Sequence, residues 1–213
     1  AMVAQAEDPI GVRFRCRDAR PKAFGESWYP IEVPCTGMLT VGWLLAPLLL
    51  GVGAVSADPC TGSGCALGND DRLKDHCSEA AGICTELGIG ADRVQLAQQS
   101  RLPVPVGKIP AEAVGTMRDT DVFMALTTMT SSSAVSIHAS AGVAGIVTLH
   151  EESCTLCEQC TTVCPPSALK VNRADGSIEI TFDPGLCVGC SMCIATCPEI
   201  EKGALTLVRR FDS

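Results

Sequence analysis

The apolar positions between Ile10 and Leu96 change period as the chain proceeds. Gly11-Val-Arg-Phe14 and Ile31-Glu-Val33 are short strand-like runs that end just before Cys16 and Cys35. Leu39 to Leu50 is apolar at almost every position and predicts a buried helix. Val52-Gly-Ala-Val55 then reads as a buried strand leading to Cys60. Asp71 to Leu87 carries apolar residues at helical spacing and stops at Gly88, and Arg93-Val-Gln-Leu96 gives a fourth strand. Strands alternating with helices predict an α/β fold on a small parallel sheet, over about residues 1–100.

The next stretch loses that order. Leu102-Pro-Val-Pro105 and the Ser-, Thr- and Ala-rich Thr127 to Ser140 read as connecting segment over 101–145, with a helix from Ala111 to Met124. Beyond it, over 146–213, strand-like runs recur in pairs: Ile146–Leu149 with Ala168–Val171, then Ile178–Phe182 with Ala204–Val208. Ala174-Asp-Gly-Ser177 between them has the composition of a hairpin turn. Each half is strand, loop, short helical turn, strand, so a duplicated α+β unit closes the chain.

Thr36 to Ala57 holds no charged residue, a length that a membrane-spanning helix could use. Gly42, Pro47, Gly51 and Gly53 interrupt it, and no basic cluster flanks it, so a buried helix followed by a buried strand is favoured. Ala1-Met2 reads as a cloning scar or processed end rather than a signal peptide. The net charge of −8 argues against nucleic acid as a partner. Fourteen cysteines in 213 residues point to metal binding and to a reducing compartment, hence the cytoplasm.

Eight of those cysteines stand in two runs. Cys154-Thr-Leu-Cys157-Glu-Gln-Cys160-Thr-Thr-Val-Cys164-Pro165 repeats as Cys187-Val-Gly-Cys190-Ser-Met-Cys193-Ile-Ala-Thr-Cys197-Pro198. Three thiolates two residues apart can wrap one cubic 4Fe–4S cluster, and in two-cluster proteins the fourth Cys of each run serves the other cluster. Cys154, Cys157, Cys160 and Cys197 are thus expected to hold one cluster, and Cys187, Cys190, Cys193 and Cys164 the other. Zinc sites use separated C-x2-C pairs instead, and disulfides suit small secreted chains. From about 146 to 213 the sequence resembles the bacterial-type two-cluster ferredoxins.

Cys16, Cys35 and Cys60 each fall just past the carboxyl end of a predicted strand, the edge where open parallel sheets bind ligands. Cys65 follows Cys60 through a loop containing Gly62 and Gly64. Four thiolates suffice for a 2Fe–2S or 4Fe–4S centre, whereas buried structural cysteines or a zinc site are the plainer alternatives. Cys77 and Cys84, seven apart on one helix face, fit packing better than ligation, and His76 and His150 are given no role. Arg13, Arg15, Arg17, Arg20 and Lys22 surround Cys16, as a docking face for an acidic partner, a field on the cluster, or an ordinary solvated edge.

Over about residues 9–100, the order Cys16 … Ile-Glu-Val-Pro-Cys35-Thr-Gly-Met … Cys60-Thr-Gly-Ser-Gly-Cys65 … Gly-Asn-Asp-Asp resembles the delta subunit of methyl-viologen-reducing hydrogenase. The resemblance implies a 2Fe–2S cluster on Cys16, Cys35, Cys60 and Cys65. It also implies electron exchange with a flavoprotein of the heterodisulfide-reductase type, inside a hetero-oligomeric complex. Where that family has a second cysteine three residues after the first, this chain has Ala19. The expected function is one-electron relay between that flavoprotein and a donor or acceptor oxidoreductase, with no catalytic residue and no transmembrane span. The alternatives are an N-terminal centre that catalyses or senses, and a zinc-stabilised docking module carrying a ferredoxin.

Overall fold

β1 (Gly11–Cys16) is buried along nearly its whole length on both faces, as a strand inside a covered parallel sheet must be. β2 (Trp28–Val33) lies on one side of it and β3 (Ala54–Ala57) on the other, both parallel, with β4 (Val94–Gln95) parallel outside β3. The order is therefore β2-β1-β3-β4, and the direction of winding reverses between β1 and β3. Such a switch point opens a crevice beyond the carboxyl ends of the strands. The computed structural model describes residues 9–17, 26–59, 70–96, 102–114, 118–130, 136–138, 144–174 and 176–212. By its contacts the chain divides into two units, Ala1–Val135 and Ser136–Ser213.

The apolar run resolves into α1 (Val41–Leu49) and β3. The Thr40 hydroxyl accepts from the Trp43 N–H at 3.3 Å and caps the helix, and Leu44, Leu45, Leu48 and Leu49 are fully buried. β3 starts two residues later than the pattern suggests. Gly51, at φ +83°, and Val52 are spent leaving the helix, and the Gly53 N–H is already bonded to the Ile10 carbonyl at 2.8 Å. Among the described residues, no helix is long and apolar enough to cross a membrane.

α2 (Asp70–Glu86) buries Leu73, Cys77, Ala80, Ile83 and Cys84, a three-four spacing that faces α1 and β4. The segment after β4 also lies against this first unit. The Ile109 N–H donates to the Leu49 carbonyl at 2.8 Å, and Arg93 Nη1 donates to the Val104 carbonyl at 2.6 Å. α3 (Ala111–Val114) is a single turn, whereas α4 (Asp119–Met129) packs on α1 through Val122, Phe123 and Leu126. Gly42 permits the approach, because a Cβ there would overlap the Asp119 carboxylate. Thr40 Oγ1 in turn donates to Asp119 Oδ1 at 3.0 Å.

The second unit follows its sequence repeat. β5 (Ser136–His138) pairs antiparallel with β10 (Arg210–Asp212) at one margin. β6 (Ile146–Leu149) pairs with β9 (Leu205–Val208), and β7 (Leu169–Ala174) forms a hairpin with β8 (Ser177–Phe182). The first strand of each half thus pairs with the last strand of the other. α5 (Gln159–Thr162) and α6 (Met192–Thr196) occupy equivalent places around the third position of each cysteine run.

Candidate iron–sulfur centres

The crossed strand pairing brings the two cysteine runs around a shared apolar core. That core contains Val147, Ala168, Leu169 and Leu205 together with the buried Cys160, Cys187 and Cys193. Two recesses open beside it. Cys154, Cys157, Cys160 and Cys197 line one, with Leu149, Ile180 and Leu205, around about 320 Å³ that includes its opening to solvent. Cys164, Cys187, Cys190 and Cys193 line the other, with Val147, Phe182 and Leu207, around about 330 Å³. Each recess takes three thiols from one run and the fourth from the other.

Local backbone geometry explains why the runs can do this. Leu156 and Glu158 in the first loop have φ of +53° and +62°, and their equivalents Gly189 and Ser191 have +63° and +65°. Left-handed residues on either side of a cysteine curl the chain so that backbone N–H groups face a concavity, a natural seat for anionic sulfur. The Leu156 N–H reaches Cys154 Sγ at 3.4 Å and the Ala168 N–H reaches Cys164 Sγ at 3.2 Å. Gly189 has a second reason to be glycine, since a Cβ there would collide with the Ala144 carbonyl. Neither the left-handed positions nor this close approach follows from cysteine spacing alone.

Burial pushes the Cys193 thiol up to about 11 and raises those of Cys160 and Cys187, with neighbouring cysteines adding to the effect. Thiols of this kind are costly to ionise alone and are stabilised as thiolates by a metal centre. Among the described residues, no three His, Cys, Asp or Glu side chains converge on a single metal ion. The sulfurs rim two recesses, four to each, and this donor set fits 4Fe–4S cubes.

At the sheet edge of the first unit, Cys16 ends β1 and is buried, its Sγ 3.5 Å from the Pro34 carbonyl. It pairs in register with Val33, and Cys35 follows two residues later in extended conformation. β2 ends at Val33, so Cys35 follows just past the carboxyl end of that strand. The Thr36 hydroxyl beside it is buried and lacks a partner among the described residues, as a group next to a polar ligand does. Cys60 and Cys65 lie outside the described residues.

Among the basic residues around Cys16, Arg13 and Arg15 make ion pairs within the unit. Arg13 donates from Nε and Nη2 to Asp58 Oδ1 at 2.9 and 2.6 Å, a nearly buried pair bridging β1 and the end of β3. Arg15 pairs with Glu32 on β2. Arg17 is exposed, and Arg20 and Lys22 lie outside the described residues. A pattern search could flag Asp58 as a partner for Arg13 only through the strand register. Cys77 and Cys84 are buried on α2, with burial pushing both thiols to about 12, as packing residues require. His76 Nδ1 lies 2.7 Å from the Leu39 carbonyl and links α2 to the start of α1.

Comparison with known proteins agrees with both halves. Residues 153–200 match the family model of 4Fe–4S dicluster domains, and residues 22–105 match that of the methyl-viologen-reducing hydrogenase delta subunit. The polysulfide reductase B subunit of Wolinella succinogenes is 49% identical over 51 residues, 23% of this chain and 25% of that protein. Protein NrfC of Escherichia coli is 43% identical over 49 residues, 22% of this chain and 21% of that protein. The chain thus spans about a quarter or less of the curated relatives it matches. It joins a segment matching the hydrogenase delta-subunit family to a 4Fe–4S dicluster domain.

Proposed function

We propose that the chain relays single electrons through three centres. Cys154, Cys157, Cys160 and Cys197 hold one 4Fe–4S cluster, and Cys164, Cys187, Cys190 and Cys193 hold a second. Cys16, Cys35, Cys60 and Cys65 hold a 2Fe–2S cluster at the sheet edge. The partners are a flavoprotein of the heterodisulfide-reductase type and a second oxidoreductase, within a cytoplasmic hetero-oligomer. The observation that carries this reading is the pair of four-cysteine recesses with exchanged fourth thiols. Support for the partners comes from the matched family, whose description names one subunit of a hydrogenase.

When bound, each cluster supplies a site that gains and gives up one electron at a time. The protein supplies the rest. Backbone N–H groups of the left-handed loops stabilise sulfur charge, and Leu149, Ile180, Phe182 and Leu207 exclude water from the recess walls. Of the eight recess cysteines, Cys157 and Cys190 are exposed, so they mark the sides on which electrons enter or leave.

Serine substitutions test the exchange. Cys160→Ser and Cys197→Ser should degrade the same 4Fe–4S signal in low-temperature EPR, and Cys164→Ser and Cys187→Ser the other. If Cys197→Ser instead damages the signal lost in Cys187→Ser, the ligation scheme is wrong.

A further inference from the structure

The two recesses are copies of one another, yet their charges differ. Glu158 and Glu199 both line the recess of Cys154, Cys157, Cys160 and Cys197. Counting from the cysteines, Glu158 is matched in the repeat by Ser191 and Glu199 by Pro166, and these two neutral residues line the other recess. Among the described residues, no acidic or basic one lines that second recess. Arg209 sits at its margin, donating from Nη2 to Ser191 Oγ at 3.0 Å.

Each carboxylate has a cationic neighbour, and burial decides which charge a cluster feels. Glu158 pairs with Arg173 and Glu199 with Lys202. The Glu158 and Glu199 side chains are 25% and 18% exposed, against 55% and 70% for Arg173 and Lys202. The cations are the more solvated and the more screened, so the carboxylates dominate the field inside the recess. Two other levers on potential are present at both recesses. A backbone N–H reaches a sulfur of each recess, Leu156 to Cys154 and Ala168 to Cys164, and an exposed thiol, Cys157 or Cys190, stands at the same place in each run.

We propose that Glu158 and Glu199 set the order of the two 4Fe–4S potentials. They hold the cluster of the Cys154 recess more negative, so that the first electron into the pair rests at the Cys187 recess. This rests on the relay reading above and adds a direction to it. An added electron increases the negative charge of the cluster that takes it, and nearby carboxylates oppose that step. In the test the electrons come from dithionite, one per cluster.

The experiment is a potentiometric EPR titration of the full chain, with the two signals assigned to their recesses by the serine variants. Iron and sulfide are counted on every sample. The parent should show two separate midpoints, the lower one belonging to the Cys154 recess. The double variant E158Q/E199Q should move that lower midpoint upward and leave the higher one in place. Equal movement of both, movement of the higher one alone, or no movement with iron retained overturns the proposal. If the double variant loses iron, Ser191→Glu decides: it should lower the higher midpoint, and an unmoved midpoint overturns the proposal. A parent chain without two cubane signals fails the relay reading itself, which the iron count reveals before any potential is read.

Discussion

Leu156 holds a left-handed backbone, φ +53°, with its side chain 40% exposed, at the position its repeat fills with Gly189. A non-glycine residue there is strained by about 1 kcal/mol or more. Leu156→Gly should therefore leave cluster content intact and cost little or nothing in stability. Gly189→Ala should do the opposite, losing the second cluster because its Cβ meets the Ala144 carbonyl. Iron per chain in the two variants checks the pair, and equal iron in both contradicts the argument. Cys77 and Cys84 make a second test at this scale. Their thiols are raised from near 9 to about 12, so the stability gained by keeping them neutral is full below the unfolded value. It is lost as pH rises from about 9 toward 12. Neither should react with iodoacetamide at pH 8 in the folded chain, and fast labelling of either would place it at an exposed or ligating site.

Among elements, those with one strong periodicity were legible from sequence. α2 is one, because Leu73, Cys77, Ala80, Ile83 and Cys84 keep a strict three-four spacing. β1 is another, closed by Cys16 as expected. β3 is displaced because an all-apolar run has no phase, and the Gly51–Gly53 turn is fixed by a hydrogen bond to the distant Ile10. α4 was partly legible as a helix, but its packing on α1 depends on Gly42, whose partner Asp119 is far away in sequence. The Arg13–Asp58 pair is tertiary in the same way, and it joins the two strands that frame the crevice. Its side chains are only 8% and 13% exposed, so removing one partner strands a charge. Asp58→Asn should destabilise the first unit by about 3 kcal/mol, the usual cost of breaking a buried pair. Trp28 and Trp43, the two tryptophans, both lie in that unit, so urea unfolding followed by their fluorescence reads it out. An unchanged midpoint would show that the pair is solvated.

For the whole molecule, the internal repeat was the most legible feature, and the exchanged strand pairing follows it. Which cysteines share a recess was also readable from spacing, whereas the charge difference between recesses needed the walls in view. Of the sheet-edge cysteines, Cys16 and Cys35 lie at the carboxyl ends of adjacent strands, and Cys60 and Cys65 lie outside the described residues. The second unit has a small core, and among the described residues three of the seven buried members of its main apolar cluster are cysteines. Units of this size commonly depend on a metal for folding. Stripping iron with a chelator under oxidising conditions should melt its strands, seen as loss of β-sheet signal in far-ultraviolet circular dichroism, with reconstitution restoring it. Retained strands after complete iron loss would mean that the aliphatic core suffices.

The most direct measurement is iron and acid-labile sulfide per chain on anaerobically purified protein, with EPR before and after dithionite. Three centres predict about ten irons, with a 2Fe–2S signal that disappears in Cys16→Ser or Cys35→Ser beside two cubane signals. About eight irons with cubane signals alone would contradict the three-centre relay and leave the sheet-edge cysteines without a cluster.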